Sequence, residues 1–254
     1  MKKNELYQLM GINLDLAVEA HDLLRGDTGK EIPGVKEDVE TFAQGTIKTI
    51  TILNEQGATI MGRAPGSYVT LESTGLRENN KMVHKNIGEV LGEKLKEILP
   101  LQDDSTILIV GLGNWQATPD ALGPKAVEYS MATRHLFHYA PEELRQGLRS
   151  VCVLAPGVLG ITGIETAEII KGIVERIKPD LLIAIDALAA GSVERINSTI
   201  QVATTGISPG SGIGNKRTGI NQETMGIPVI AIGVPTVVHA GIIAHQAMEK
   251  LFEH

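Results

Sequence analysis

The stretch LLIAIDALAA, residues 181–190, sets five apolar residues before an aspartate and four apolar residues after it. A short apolar run without polar alternation reads as a strand buried on both faces, the pattern of parallel sheets. Residues 106–110, 151–154 and 229–232 carry the same signature. Between the second and third runs lies a helical pattern over residues 164–177, with Ile169, Ile170, Ile173 and Val174 on one face, and Lys178 and Pro179 close it. Strand, helix and strand in that order predict an α/β fold. The expected architecture is a doubly wound, mostly parallel sheet with helices on both faces and right-handed crossovers.

Moving toward the N-terminus, Val83, Ile87, Val90, Leu91, Leu95 and Ile98 recur at helical spacing, and Pro100 stops that helix. The run TIKTITIL within residues 45–53 and the segment 67–71 read as strands, forming β-rich additions to the main sheet. There is no internal repeat, low-complexity tract or linker, which predicts a single domain.

Bulk composition agrees. Hydrophobic residues make up 43% of the 254 and aromatic ones only 3%, so the chain has a core to bury. A net charge of −7 argues against nucleic acid as a direct partner, because phosphate binding depends on clustered Lys and Arg. One cysteine, Cys152, forms no internal disulfide and fits a reducing compartment. The opening Met1-Lys2-Lys3 is followed by no apolar core of signal-peptide length, and no membrane span stands out. The expectation is a soluble, cytoplasmic protein without a membrane partner.

In open α/β sheets, ligands bind beyond the carboxyl ends of the strands. Asp186 sits at such an end inside an apolar run, where desolvation opens its pKa to a large shift. Asp120, in Thr118-Pro119-Asp120, follows the Gly111-Leu112-Gly113-Asn114 loop after the first buried strand. Each acid has a structural alternative as a helix or turn cap. Two carboxylates at neighbouring strand ends can share a proton, one as base and one as acid. They can equally hold a divalent metal, and the sequence does not choose.

Other motifs fail on chemistry. Gly206-Ile207-Ser208-Pro209-Gly210 fits the G-x-S-x-G string, but Pro209 lacks the N–H the oxyanion needs. Gly111-x-Gly113 has Gln116 where a dinucleotide fingerprint needs glycine. Cys152 lies inside an apolar strand, and the seven histidines show no paired metal spacing, which leaves His135 or His239 as a single ligand at most. The glycine-rich loop 206–217, ending in Lys216 and Arg217, permits close backbone approach to a ligand and adds positive charge.

At these same segments the chain resembles the germination protease family. The strings LDLAVEA (14–20), GSYVTLES (66–73), LIVGLGNWQATPDALGPKAV (108–127), TRHLF (133–137), APGVLGITGIET (155–166), LLIAIDALAA (181–190), GISPGSGIGNKR (206–217) and GIPVIAIGVPTVV (226–238) follow it in order. The resemblance implies a phosphorylase/hydrolase-like fold similar to that of hydrogenase maturation endopeptidases. It implies an endopeptidase of the spore core that opens degradation of small acid-soluble spore proteins, cutting after acidic residues. The catalytic acids would be Asp120 and Asp186, in an atypical aspartic-type mechanism with a divalent metal left open. It further implies a homo-oligomeric, self-processing zymogen. Asp15-Leu16-Ala17 suits the family's cutting preference, so residues 1–15 are the expected propeptide and residues 16–254 the protease domain. Lys125, Arg134, Lys216 and Arg217 are the candidate cations for an acidic substrate. Members of the family continue well beyond a point equivalent to Phe252, whereas this chain stops at His254. Two other classes compete: a metal-dependent maturation peptidase acting on another enzyme, and a non-catalytic peptide- or nucleotide-binding protein.

Overall fold

The computed structural model describes residue 7 and residues 11–26, 29, 31–99, 101–210 and 217–252. Its strands are β1 (Val35–Phe42), β2 (Gly45–Ile52), β3 (Gly66–Glu72), β4 (Thr106–Gly111), β5 (Ser150–Leu154), β6 (Leu181–Ala190), β7 (Thr199–Ala203) and β8 (Val229–Val238). Its α-helices are α1 (Ala17–Arg25), α2 (Glu55–Met61), α3 (Lys81–Ile98), α4 (Leu122–Glu128), α5 (Arg134–Tyr139), α6 (Leu159–Thr162), α7 (Thr166–Ile177), α8 (Gln222–Met225) and α9 (Ala240–Phe252).

All eight strands form one sheet in the order β1-β2-β3-β7-β8-β6-β4-β5. The α/β class is as expected, but the sheet is mixed rather than mostly parallel. Pairings β8–β6, β6–β4 and β4–β5 are parallel, whereas the four from β1 through β7 to β8 are antiparallel. Connection length explains the difference. Only Ala43 and Gln44 separate β1 from β2, and only residues 191–198 separate β6 from β7. Parallel neighbours need a crossover of about a dozen residues or more, so β2 turns back on β1, and the short link after β6 returns the chain as β7 on the far side of β8, antiparallel to it. The N-terminal strands therefore extend the main sheet instead of decorating it.

The parallel half has helices on both faces, as its apolar runs require. Ile107, Leu181, Ile183 and Ile230 face α3, which brings Ile87 to that core. Leu108, Val110, Leu182, Ala184 and Val229 face the opposite way, against Ala167, Ile170 and Val174 of α7. Each such side chain fully buried contributes about 1.5–3 kcal/mol. Local signals set the helix ends. Asn80 Oδ1 accepts from the Met82 and Val83 amides at 3.1 and 3.3 Å to start α3. Lys178 adopts a left-handed φ of 54° to end α7, and Pro179 prevents its resumption.

Two strands escaped the sequence reading. β1, VKEDVETF, is a charged edge strand whose residues are mostly exposed, so it lacks an apolar face to betray it. In β7, TIQVA, Gln201 interrupts the apolar run. Its neighbour Val202 packs in the α3-side core.

Candidate active site

β4, β6 and β8 run side by side and deliver their carboxyl ends to one edge of the sheet. The chain leaves β4 through Leu112-Gly113-Asn114, and Leu112 N–H donates to the Ile185 carbonyl at 2.8 Å, which staples this loop to β6. Gly113 has φ +115°, and a Cβ there would lie 2.0 Å from the Asp120 carbonyl oxygen. Only glycine allows the loop to fold back this tightly. The fold-back presents Asp120: the Asn114 N–H donates to its carboxylate at 2.9 Å. Thr236 Oγ1, on β8, donates to the Pro119 carbonyl at 2.6 Å and holds the same turn from the other side.

Asp186 lies within β6, buried to 6% exposure, with its carboxylate accepting the Ala187 N–H at 2.9 Å. Burial dominates its acidity and pushes its pKa up to about 7, the Ala187 N–H opposing this and the charges of Asp120 and Asp15 adding to it. Asp120 is also raised by burial, but the Asn114 N–H and the positive charge of Arg217 restrain it. Both acids line one cleft of about 320 Å³, together with Asp15, Arg217 and Thr236. Of the two, Asp186 is pushed to about 7 and is the one that retains a proton toward neutral pH, while Asp120 has the donor and the cation that favour its ionised form. That is the protonation state for one base and one acid.

The remaining predicted residues divide. Asp15 lines the cleft, and its carboxylate accepts the Ala189 N–H at 2.8 Å. Leu16 is fully buried against Leu188. Of the four cations, Arg217 lines the cleft. Lys125 instead stacks over the Trp115 ring at 4.9 Å and pairs with Glu128 at 3.0 Å, and does not line it. Arg134 opens α5, where its charge acts on Cys152, and is likewise outside the cleft lining. Lys216 lies outside the described residues.

Two side chains that the sequence reading missed meet residues 14–17. Gln201 is buried, donating through Nε2 to the Asp15 carbonyl at 3.1 Å and accepting the Ala17 N–H through Oε1 at 2.6 Å. Arg63 lines an adjoining cavity of about 630 Å³ that shares Asp15, Leu188, Ile207 and Ser208 with the cleft. Its guanidinium donates to the Leu14 carbonyl and lies 5.8 Å from the Tyr68 ring centre, while its Nε is sealed from solvent without a partner. A glutamine within an apolar strand was the one available sequence signal. Arg63, in the loop after α2, had none.

For a metal, the cleft lining offers the carboxylates of Asp15, Asp120, Glu165 and Asp186, but no three of them bring ligand atoms within 4.8 Å of one another. Among the described residues, the His/Cys/Asp/Glu group whose ligand atoms lie within 4.8 Å of one another is His21, Asp22 and Glu37, and none of these lines the cleft. Arg25 already pairs with Glu37, and Arg195 with Asp22 at 3.6 Å. Catalytic zinc takes three protein ligands and calcium more, so the cleft residues fit an acid pair better than a metal set.

Comparison with known proteins adds a family to this geometry. A family model described as "Germination protease" matches residues 15–254. A germination protease of Caldanaerobacter subterraneus subsp. tengcongensis is 51% identical over 243 residues, covering 96% of this chain and 74% of the relative. That of Clostridium tetani is 48% identical over 246 residues, covering 96% and 76%. That of Bacillus subtilis is 48% identical over 261 residues, covering 100% and 71%.

Proposed function

This chain belongs to the germination protease family, and from that premise we propose that it is an endopeptidase that initiates breakdown of small acid-soluble spore proteins, cutting after acidic residues. The observation that carries the reading is the meeting of Asp120, Asp186 and Asp15 in one cleft, beside the bond that joins Asp15 to Leu16. In this reading residues 1–15 are a propeptide that the protein removes itself, and residues 16–254 are the working domain. The resident Asp15 then occupies the place an acidic substrate residue would take, with Arg217 as the cation nearest to hand within the cleft lining.

The reaction is aspartic-type. Ionised Asp120 takes a proton from water as the water oxygen attacks the peptide carbonyl carbon. Protonated Asp186 supplies the proton that the leaving nitrogen needs, and the C–N bond breaks. Burial keeps Asp186 neutral where an ordinary carboxylate would be ionised, which lets one aspartate act as acid beside another acting as base. By the same reading the protein works in the spore core as a homo-oligomer. The described residues include no helix long and apolar enough to cross a membrane.

The test is incubation with a purified small acid-soluble spore protein, wild type beside Asp120→Asn and Asp186→Asn, with and without a chelator. Cuts after Glu or Asp by wild type alone, unaffected by chelator, are expected. Chelator-sensitive cutting would transfer the acids to metal binding, and undiminished cutting by either variant would remove that acid from the mechanism. N-terminal sequencing of matured protein should begin at Leu16.

A further inference from the structure

Across the sheet, Asp186 of β6 pairs with Gly233 of β8, and Gly233 pairs with Gln201 of β7. Cross-strand partners share a face, so Asp186 and Gln201 stand on the same side of the sheet, two strands or roughly 10 Å apart. Between them Gly233 contributes no side chain; a Cβ there would lie 2.5 Å from the Leu188 side chain. The bond between Asp15 and Leu16 is held at this row. Its carbonyl oxygen accepts from Gln201, the Asp15 carboxylate accepts from Ala189, and the Leu16 side chain packs with Leu188.

We infer that the Gln201 carboxamide is a catalytic group that binds and polarises the carbonyl under attack. The inference rests on the reading that the bond after Asp15 is a substrate of this cleft. An amide that only capped α1 would need just its oxygen, which takes the Ala17 N–H. Here the nitrogen is also engaged, on the carbonyl whose oxygen gains negative charge when water adds. The two contacts are linked. Because Ala17 N–H must meet the amide oxygen, the NH₂ is turned toward the Asp15 carbonyl.

The same orientation serves an incoming chain. α1 is anchored by residues after the cut: Glu19 accepts the Gly191 N–H at 2.8 Å and pairs with Arg195 at 3.3 Å. For an incoming chain Leu16 and Ala17 withdraw from this row, and the substrate's own N–H two residues along takes the Ala17 place on Oε1, which again turns Nε2 to the carbonyl under attack. Arg63, released from the Leu14 carbonyl, meets the main chain one residue earlier. Both contacts are to backbone, so they accept any extended peptide and leave side-chain selection to the rest of the cleft. The step balances. Water adds its oxygen to the carbonyl carbon and one proton to Asp120, Gln201 holds the oxyanion, and the Asp186 proton passes to the leaving nitrogen. The carbonyl re-forms as a carboxylic acid, and the new amine departs.

Gln201→Glu keeps the acceptor for Ala17 and, where the new carboxyl is ionised, removes the donor at nearly the same shape. On a peptide reading Leu-Asp-Leu-Ala, with the product ends assigned by mass, its kcat should fall about 100-fold, the range for losing one oxyanion donor. KM should change less than threefold, and the uncharged Gln201→Asn should keep the shape of the pH profile set by the two aspartates. Gln201→Asn, which withdraws the same amide by one methylene, should lose rate in the same sense and serves if the glutamate variant does not fold. A folded variant of either kind with kcat within threefold of wild type overturns the assignment while leaving the acid pair intact. A wild type that leaves the Asp–Leu bond whole overturns the underlying reading, and the role of Gln201 with it.

Discussion

The two halves of the sheet handle polar groups differently. In the parallel half, β8-β6-β4-β5, both faces of the central strands are closed, by α3 on one side and α7 on the other. An acid placed there is desolvated, and Asp186 responds with a pKa near 7. In the antiparallel half, β1-β2-β3-β7, the edge strand is largely exposed and charged, and its Val39 is 55% exposed. This half contributes Gln201, on β7, and Arg63 enters from the loop before β3; both grip backbone. A closed environment tunes a proton in one half, and in the other two polar side chains hold main chain. One continuous sheet joins the two at β7–β8.

The comparison breaks most visibly at Asp186. Asp186→Asn should lower kcat by about 1000-fold, within the range for a general acid or base, measured on the same peptide as above. The same variant tests the electrostatics. In the native state this carboxyl keeps its proton up to about pH 7, against 3.8 for the ordinary group. The native state therefore binds more protons between those values. Its stability contribution is complete at low pH and is lost as pH rises through about 7. Denaturant melts from pH 4 to 8 should show that downward slope in wild type and a flatter one in Asp186→Asn. A slope identical in both would remove desolvation as the cause.

Next in size is the double-sided core. Ile170→Ala on α7 should cost about 2–5 kcal/mol in urea unfolding, because Ile170 is fully buried against the parallel strands. Arg63→Met should keep kcat within about threefold and raise KM about 10-fold, as loss of one charge-assisted contact made equally in ground and transition states predicts. A fall in kcat alone would move Arg63 from binding to chemistry. Smallest of all, Val39→Ala on the exposed edge should shift stability by less than about 0.5 kcal/mol. A larger loss would show that the open flank is packed against something after all.

Legibility in the sequence followed the same division. The parallel strands and α7 were readable because residues buried on both faces leave unbroken apolar runs, and helix ends carry local marks such as Pro179. β1 was not, because a half-exposed, charged edge strand has the composition of a loop. The mostly parallel expectation failed for a related reason. Strand direction depends on connection length and on which strand becomes the neighbour, and only β7's insertion beside β8 revealed it. Lys125 and Arg134 show the limit for side chains: Lys125, five residues from Asp120 in the chain, stacks on Trp115, the charge of Arg134 acts on Cys152, and neither lines the cleft.

What the sequence marked by itself was Asp186, a carboxylate inside an apolar run, and the loop after the first buried strand that carries Asp120. A carboxylate inside an apolar run is anomalous wherever the run is placed. Which other groups share a sheet row with Asp186 was decided only in three dimensions. Gln201, Gly233 and Asp186 become one row, and Asp15 comes to lie over it, because the strand order places β8 between β6 and β7. Local periodicity governs whether a segment is strand or helix. Long-range pairing, which no short window of residues encodes, governs what meets in the cleft.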